Sequence, residues 1–299
     1  MKNAYKVSAV IVTYNRISWL EKVYASLLTQ SYPIDKIVIV DNCSTDETES
    51  WTEQFEDSNK VLIHRTQENL GGAGGFSKGI EIAMSYGSDF VWIMDDDCLA
   101  RPAALEKLVY SWDWFKGNRE WTPGFLCSLV KFQDTDDICE MNIPQTVWDW
   151  PRHVNEDFPG ILVKSCSFGS ALVPAEKIRP VGLPHSDYFI WFADAEYTKR
   201  LSKEYPGLLV LDSVVEHHTP VNRGVNFSDV NDANLWKFKY GARNEASYRY
   251  HTDGKMSWKD FAVSVNRQMH EGKVSLENRL KVNEAMLRGI KFNPKIKYI

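Results

Sequence analysis

Apolar positions in the first third of the chain fall into short β-branched blocks, each followed by a stretch with helical spacing. Val7–Tyr14 carries no charge, as a strand buried on both faces requires. It stops at Asn15-Arg16, and Ile17–Gln30 then places Trp19, Leu20, Val23, Leu27 and Leu28 at helical intervals. Lys36–Val40 predicts a second buried strand, ending on Asp41-Asn42. Asp46, with Glu49 three residues on, predicts a capping box and a helix to about Phe55. Val61–His64 predicts a third strand, the glycines between Asn69 and Phe76 a turn, and the positions to about Tyr86 a helix. Phe90–Met94 predicts a fourth strand running straight into Asp95-Asp96-Asp97, after which Arg101-Pro102 opens another helix. This alternation predicts an α/β fold with a parallel sheet covered by helices on both faces.

After residue 120 the rhythm changes. Phe125–Phe132, Ile161–Val173 and Leu208–His217 predict strands, and a Trp- and Pro-rich stretch between the first two predicts an irregular surface loop. Phe189–Arg200 predicts a helix that continues to Tyr205, and from Phe227 the pattern is helical with many aromatics. A boundary near residue 225 divides the chain into residues 1–225 and a helical, basic extension, residues 226–299. From Lys255 onward that extension has ten Lys or Arg against four Asp or Glu.

A formal charge of −5 argues against a general nucleic-acid binder, so no nucleic-acid partner is expected. Five dispersed cysteines without a CxxC pair argue against a disulfide framework or structural zinc and favour a reducing compartment. The N-terminus has no signal-peptide pattern, and no apolar run approaches the length of a membrane span. The expectation is a cytoplasmic globular protein.

In an open parallel sheet the ligand crevice lies at the carboxyl ends of the strands. Three strands here end on polar groups, at Thr13–Arg16, Asp41-Asn42 and Asp95–Asp97. Consecutive aspartates after a buried strand repel one another unless a cation compensates, and oxygen ligands select a hard one, Mn²⁺ or Mg²⁺. In extended chain Asp95 and Asp97 point the same way, so they form the candidate metal pair. A solvated acidic turn is the plainer account of the same residues. The GGAGG run matches neither a Rossmann fingerprint nor a Walker loop, and reads equally as a phosphate cradle or a flexible turn. With an acidic metal site on the same crevice, a nucleotide diphosphate is the sensible ligand.

The segments VSAVIVTYNR, IVIVDNCSTDET, NLGGAGGF and FVWIMDDD, in this order, resemble family 2 inverting glycosyltransferases of the GT-A fold, and most of all the bacterial galactofuranosyltransferases. The resemblance covers residues 7–105 strongly and 165–245 moderately. It implies a GT-A nucleotide-sugar-binding fold with a central, mostly parallel sheet and a C-terminal helical segment. It implies that Thr13, Asn15 and Arg16 contact a uridine diphosphate, that Asp41 reads uracil or ribose, and that Asn69 contacts the donor. Asp95 and Asp97 match the ends of a DxD metal motif, with Asp96 near the ribose or donor sugar. Trp191–Tyr197 resembles a segment ending in Asp-Ala-Asp-Tyr, which puts the catalytic base on Asp194 and leaves Glu196 where the family has its second acid. Without the resemblance, Asp194 reads as an N-cap or a surface residue. His217-His218-Thr219-Pro220 matches a metal-binding histidine, and the proline register selects His218, with His217 one residue away. Trp191, near the proposed base, is a candidate for lining the acceptor site.

Together these imply a metal-dependent inverting transfer of galactofuranose from UDP-galactofuranose to a hydroxyl of a growing cell-surface glycan. The alternatives are a rhamnosyltransferase using dTDP-rhamnose, since thymine differs from uracil by one methyl group, or a non-catalytic nucleotide-sugar-binding protein. The acceptor is expected to be a glycan, lipid-linked in many relatives. The basic tail is then a candidate contact for anionic headgroups at the inner face of the cell membrane. A homo-oligomer is left open.

Overall fold

The structure, a computed structural model, describes residues 4–154 and 157–299. Four strands form where the apolar blocks place them: β1 (Val7–Thr13), β2 (Lys36–Asp41), β3 (Val61–Arg65) and β4 (Phe90–Asp95). They run parallel in the order β3-β2-β1-β4 and are connected through α1 (Ile17–Leu28), α2 (Thr48–Glu53) and α3 (Gly71–Ser85). Both faces of β1 are covered. Val7, Ala9 and Ile11 join α1 and the next helix, α4 (Ala104–Asn118), whereas Val10 and Val12 join Phe76 and Ile80 of α3. That division explains the uninterrupted apolar block, because successive side chains of a strand point to opposite faces.

Beyond β4 the same sheet continues with mixed strand directions. In chain order the added strands are β5 (Cys98–Ala100), β6 (Leu126–Phe132), β7 (Gln145–Thr146), β8 (Ile161–Ser165), β9 (Ala171–Pro174) and β10 (Gly207–His217). Their spatial order after β4 is β9-β6-β10-β8-β7, with β5 antiparallel to the far end of β10. β6 and β10 are parallel, and β9 is antiparallel to both β4 and β6. The sequence is thus right about an α/β fold with a central parallel core, and β5 is an element it did not show.

Three local expectations change. The single strand expected over Ile161–Val173 is two strands, because β8 pairs with β10 whereas β9 inserts between β4 and β6. The break between them is held by Thr198, whose hydroxyl bonds both the N–H and the carbonyl of Cys166 at 3.1 Å. Asp46 does not form a capping box with Glu49. Its carboxylate accepts the N–H of Thr48 (3.1 Å) and of Ile17 (3.2 Å), tying the starts of α2 and α1 together, while Glu49 pairs with Arg65. The glycine-rich run is not a loop: it forms the first turns of α3.

Those glycines let α3 lie against the sheet. A Cβ on Gly75 would stand 2.4 Å from Val12 Cγ1, and one on Gly79 would stand 2.4 Å from Val10 Cγ1. Gly71, with φ +67°, meets the Phe189 carbonyl, which also accepts the Ala73 N–H at 3.0 Å. Gly75 and Gly79 thus set the distance between helix and sheet, while Gly72 at the start of α3 lines the cavity described below.

The C-terminal part consists of α7 (Leu235–Tyr248), α8 (Lys255–Glu271) and α9 (Leu276–Lys291), following α5 (Ala175–Val181) and α6 (Ala193–Leu201). Phe238, Phe261, Val265, Val282 and Met286 fill a separate apolar cluster there, and Trp191 packs onto it. The last residues then return to the first part. Lys297 accepts the Leu183 N–H with its carbonyl (2.8 Å) and pairs with Glu81 through its ammonium (2.7 Å). No described helix is long and apolar enough to cross a membrane, and all five cysteines are free.

The close approach of α3 makes a prediction whose sign separates packing from propensity. Alanine is the better helix former by about 1 kcal/mol, but an extra methyl in a filled contact costs about 1–3 kcal/mol. Gly79→Ala should lower the urea midpoint without changing the slope; a raised midpoint would show that the contact yields freely.

Candidate active site

The strand register brings the polar ends of the first strands to one edge, pairing Thr13 with Asp41 and Val12 with Asp95. A cavity of about 470 Å³ opens beside that edge. Arg16 and Asp95–Asp97 form one wall; Ile190–Ala195, carrying Trp191 and Asp194, form another. Val225, Phe227, Gly241 and Glu245 close it from the C-terminal side.

The acidic wall is electrostatically costly. Burial, with Asp97 and Asp194 nearby, pushes the Asp95 carboxyl up to about 7. Burial likewise pushes Asp96 up to about 6, against the pull of Arg16 and a hydrogen bond from the Thr13 hydroxyl (2.8 Å). Asp97 behaves differently. Burial opposes its ionisation, but a hydrogen bond from His217 (3.1 Å) and an ion pair with Arg16 (2.8 Å) hold it below the usual carboxylate range. In the pair, burial disfavours the imidazolium, yet Asp97 raises His217 to about 10. His217 is in turn held through Nδ1 by Asn142 (2.6 Å), whose amide donates to Ser167 (2.6 Å).

Ligand atoms of Asp95, Asp97, Cys98 and His217 lie within 4.8 Å of one another. Two carboxylates and an imidazole suit a hard divalent cation. Burial raises the Cys98 thiol well above its ordinary value, as do the neighbouring aspartates. The raised proton affinity of Asp95, buried beside Asp97, is what a cation would relieve. The donor set fits.

The structure brings together Arg16, Asp95, Asp96, Asp97, Trp191 and Asp194 from the residues expected on sequence grounds. The others stand elsewhere. His218 is not with the aspartates: its ring leans on Trp19, 4.9 Å between centroids, and it groups with Asp134 and Glu216. His217, the last residue of β10, and not the His218 selected by the proline register, therefore stands with Asp95 and Asp97. Glu196 is turned into the protein, clamped by Arg200 (2.6 and 2.9 Å) and near His185 (3.6 Å), which removes it from the cavity wall. Thr13 reaches the cavity only through Asp96. Asn15, with φ +53°, uses its side-chain oxygen to hold the N–H groups of Thr45 (2.6 Å) and Asp46 (3.3 Å). Asp41 is buried and pairs with Arg65 while accepting the Ser44 N–H (2.9 Å). Asn69 accepts the Gly71 N–H (2.8 Å) at the start of α3.

Asp194 lies in the first turn of α6, where the helix dipole favours a negative charge. Its oxygen accepts the Ala195 N–H at 2.7 Å, yet burial outweighs this and pushes the carboxyl above its ordinary range. The approach to α6 is strained: Phe189, Trp191 and Phe192 have φ of 63°, 62° and 70°. Each such residue costs on the order of 1–3 kcal/mol and persists only where its surroundings enforce it. Sequence reasoning did not single out Asn142 or Glu245. Asn142 lies in the stretch read as surface loop, and Glu245 on a helix whose facing side nothing in its spacing reveals.

The central, mostly parallel sheet with helices on both faces is similar to the fold of the GT-A glycosyltransferases. Solved structures with this fold include S. aureus TarS 1-349 in complex with UDP-GlcNAc, at TM-score 0.61 and 17% identity over 95% of this chain and 81% of that one. Another is GalNAc-T7 with UDP, GalNAc and Mn²⁺, at TM-score 0.62 and 15% identity over 97% of this chain and 56% of that one. Residues 8–118 match the family described as Glycosyl transferase family 2, and the chain carries a glycosyltransferase domain of that family. Among relatives, the galactofuranosyltransferase GlfT1 of Mycolicibacterium smegmatis is 28% identical over 214 residues, 67% of each chain. The chain thus spans about two thirds of the length of that relative.

The two histidines make a direct test. His217→Ala should weaken Mn²⁺ binding at least about tenfold, since even removing a partner behind a ligand costs that much, whereas His218→Ala should leave it within about twofold. Calorimetric titration of Mn²⁺ measures both, and the reverse ranking would return the site to His218.

Proposed function

We propose that this protein catalyses inverting, divalent-metal-dependent transfer of galactofuranose from UDP-galactofuranose to a hydroxyl of a growing cell-surface glycan. The observation that carries the proposal is the sharing of one cavity by Asp194 and the Asp95–Asp97–His217 cluster. Two jobs must be done at opposite ends of the reacting bond, and the cavity offers one acidic group or cluster for each. The galactofuranosyl assignment is supported by the named relative and by the NLGGAGGF and DDD segments. Mn²⁺ or Mg²⁺ is supported by the donor set and by the Mn²⁺ present in a structure of the same fold.

Asp95, Asp97 and His217 would hold the cation, which when bound supplies positive charge against the departing diphosphate. Arg16 stands at the same wall and adds a fixed charge that burial does not remove, being always protonated. Asp194 accepts the proton of the acceptor hydroxyl as its oxygen attacks the anomeric carbon. Attack opposite the leaving diphosphate inverts that carbon, so no covalent sugar–enzyme intermediate is needed. The raised carboxyl of Asp194 suits it to this role, because a base is more effective as its pKa nears the working pH. Trp191 and Phe192 present apolar surface on which the C–H face of a sugar packs, and they keep water from the donor carbon. We further assign the basic surface of residues 255–299 to contact with anionic headgroups that carry a lipid-linked acceptor at the inner membrane face.

Two measurements test the reading. Asp194→Asn should lower kcat by about 10²–10⁴-fold with UDP-galactofuranose affinity unchanged; retained turnover would remove Asp194 as the base. In the unsubstituted protein the base works only when ionised, so kcat should fall as pH drops through the Asp194 pKa. Burial puts that limb above the ordinary carboxylate value of 3.8. Calorimetry with UDP-galactofuranose, UDP-galactopyranose and dTDP-rhamnose, with and without Mn²⁺, should show metal-dependent binding of the furanose donor. Preference for dTDP-rhamnose would overturn the donor, and binding of none would overturn the enzyme.

A further inference from the structure

We infer that Asn244, on α7, is a positioning residue that fixes the strained turn carrying Trp191 and Asp194 into the cavity; the inference rests on the assignment of Asp194 as base. Asn244 is completely buried. Its side-chain N–H groups donate to the carbonyls of Tyr188 (2.9 Å), Ile190 (3.1 Å) and Trp191 (3.0 Å). The orientation of the amide is not arbitrary. Arg243 donates to Asn244 Oδ1 from Nε (3.0 Å) and from its terminal nitrogen (2.8 Å), so only the NH₂ group is left to face the turn. The same guanidinium also reaches the Asp187 carbonyl at 2.8 Å.

Three carbonyls so close in sequence converge on one amide only if the chain between them is coiled tightly. Phe189, Trp191 and Phe192 all lie at positive φ, where side-chain-bearing residues rarely stay unaided. Asn244 supplies side-chain donors to that coil from a separate helix. Asp would bring a second acceptor toward three carbonyls, and Leu would take the side-chain donor from those of Ile190 and Trp191, while Tyr188 would keep the Ile190 N–H (2.7 Å). The turn ends where α6 begins, so its shape sets where the first turn of α6 places Asp194. Trp191 is gripped from the other side as well, against Phe238 (4.9 Å between ring centroids) and beside Gly241, where a Cβ would lie 2.9 Å from the indole. The Arg243-Asn244 pair is thus a clasp by which the C-terminal helices shape a wall formed by an earlier part of the chain.

The test uses the full chain. In Asn244→Ala, hydrogen exchange at the amides of residues 189–195 should quicken about tenfold or more, with β1–β4 unchanged. With the base displaced, kcat should fall about 10–100-fold, while KM for the nucleotide-sugar donor stays within about twofold. Asn244→Ser keeps one donor and should lie between the two; it is read the same way if the alanine variant does not fold. Wild-type exchange and kcat in a folded variant would overturn the inference. So would faster exchange spread over the whole chain with kcat and donor KM changing in proportion, which marks a merely structural residue. Failure of the base assignment would show separately, as retained turnover in Asp194→Asn.

Discussion

Three carboxylates at the dry end of a buried strand cannot all be ionised without positive charge close by. Much of this fold is arranged around that constraint. β4 is covered on both faces, so Asp95–Asp97 leave the sheet with little water around them. Arg16, from the turn after β1, and His217, from the end of β10, are the compensating charges. Together they keep Asp97 ionised, but they leave Asp95 and Asp96 with raised proton affinity. Desolvation thus makes the cluster poor as a purely structural device and well suited to a divalent cation.

Geometry on the opposite wall is secured by packing and by hydrogen bonds to backbone carbonyls. α3 sits close to the sheet because Gly75 and Gly79 carry no side chain, and Gly71 lets the Phe189 carbonyl come down onto the start of α3. That contact anchors one end of the strained turn, and α7 grips the other. The cavity is therefore bounded by parts of the chain that have separate apolar clusters, and Trp191 packs on that of the C-terminal helices.

The first four strands and the aspartate cluster were legible because burial on both faces writes an unbroken apolar block, and its end is marked by charge. The glycines were misread for a physical reason: local preference favours a turn, while the limit on how closely a helix can approach a sheet does not appear in local pattern at all. The choice between His217 and His218 depends on strand phase, which the sequence near residue 217 leaves ambiguous by one position. Glu196 looked like a member of the site because of its spacing from Asp194; on a helix, two residues apart means different faces. The partners of Arg243 and Asn244 in the turn are carbonyl groups, and backbone carbonyls leave no mark on composition.

The order of strands in the sheet also dictates when the site can exist during synthesis. β1–β4 pair with one another, so their pairing needs only the first part of the chain. β10 and α7, which bring His217 and the clasp on the turn, come much later. Until then the aspartates are at the open edge of a half-sheet and stay hydrated. Long-range pairing of this kind is slow, so capacity to hold a divalent ion would be among the last properties a newly made chain acquires and a sensitive reporter of complete folding.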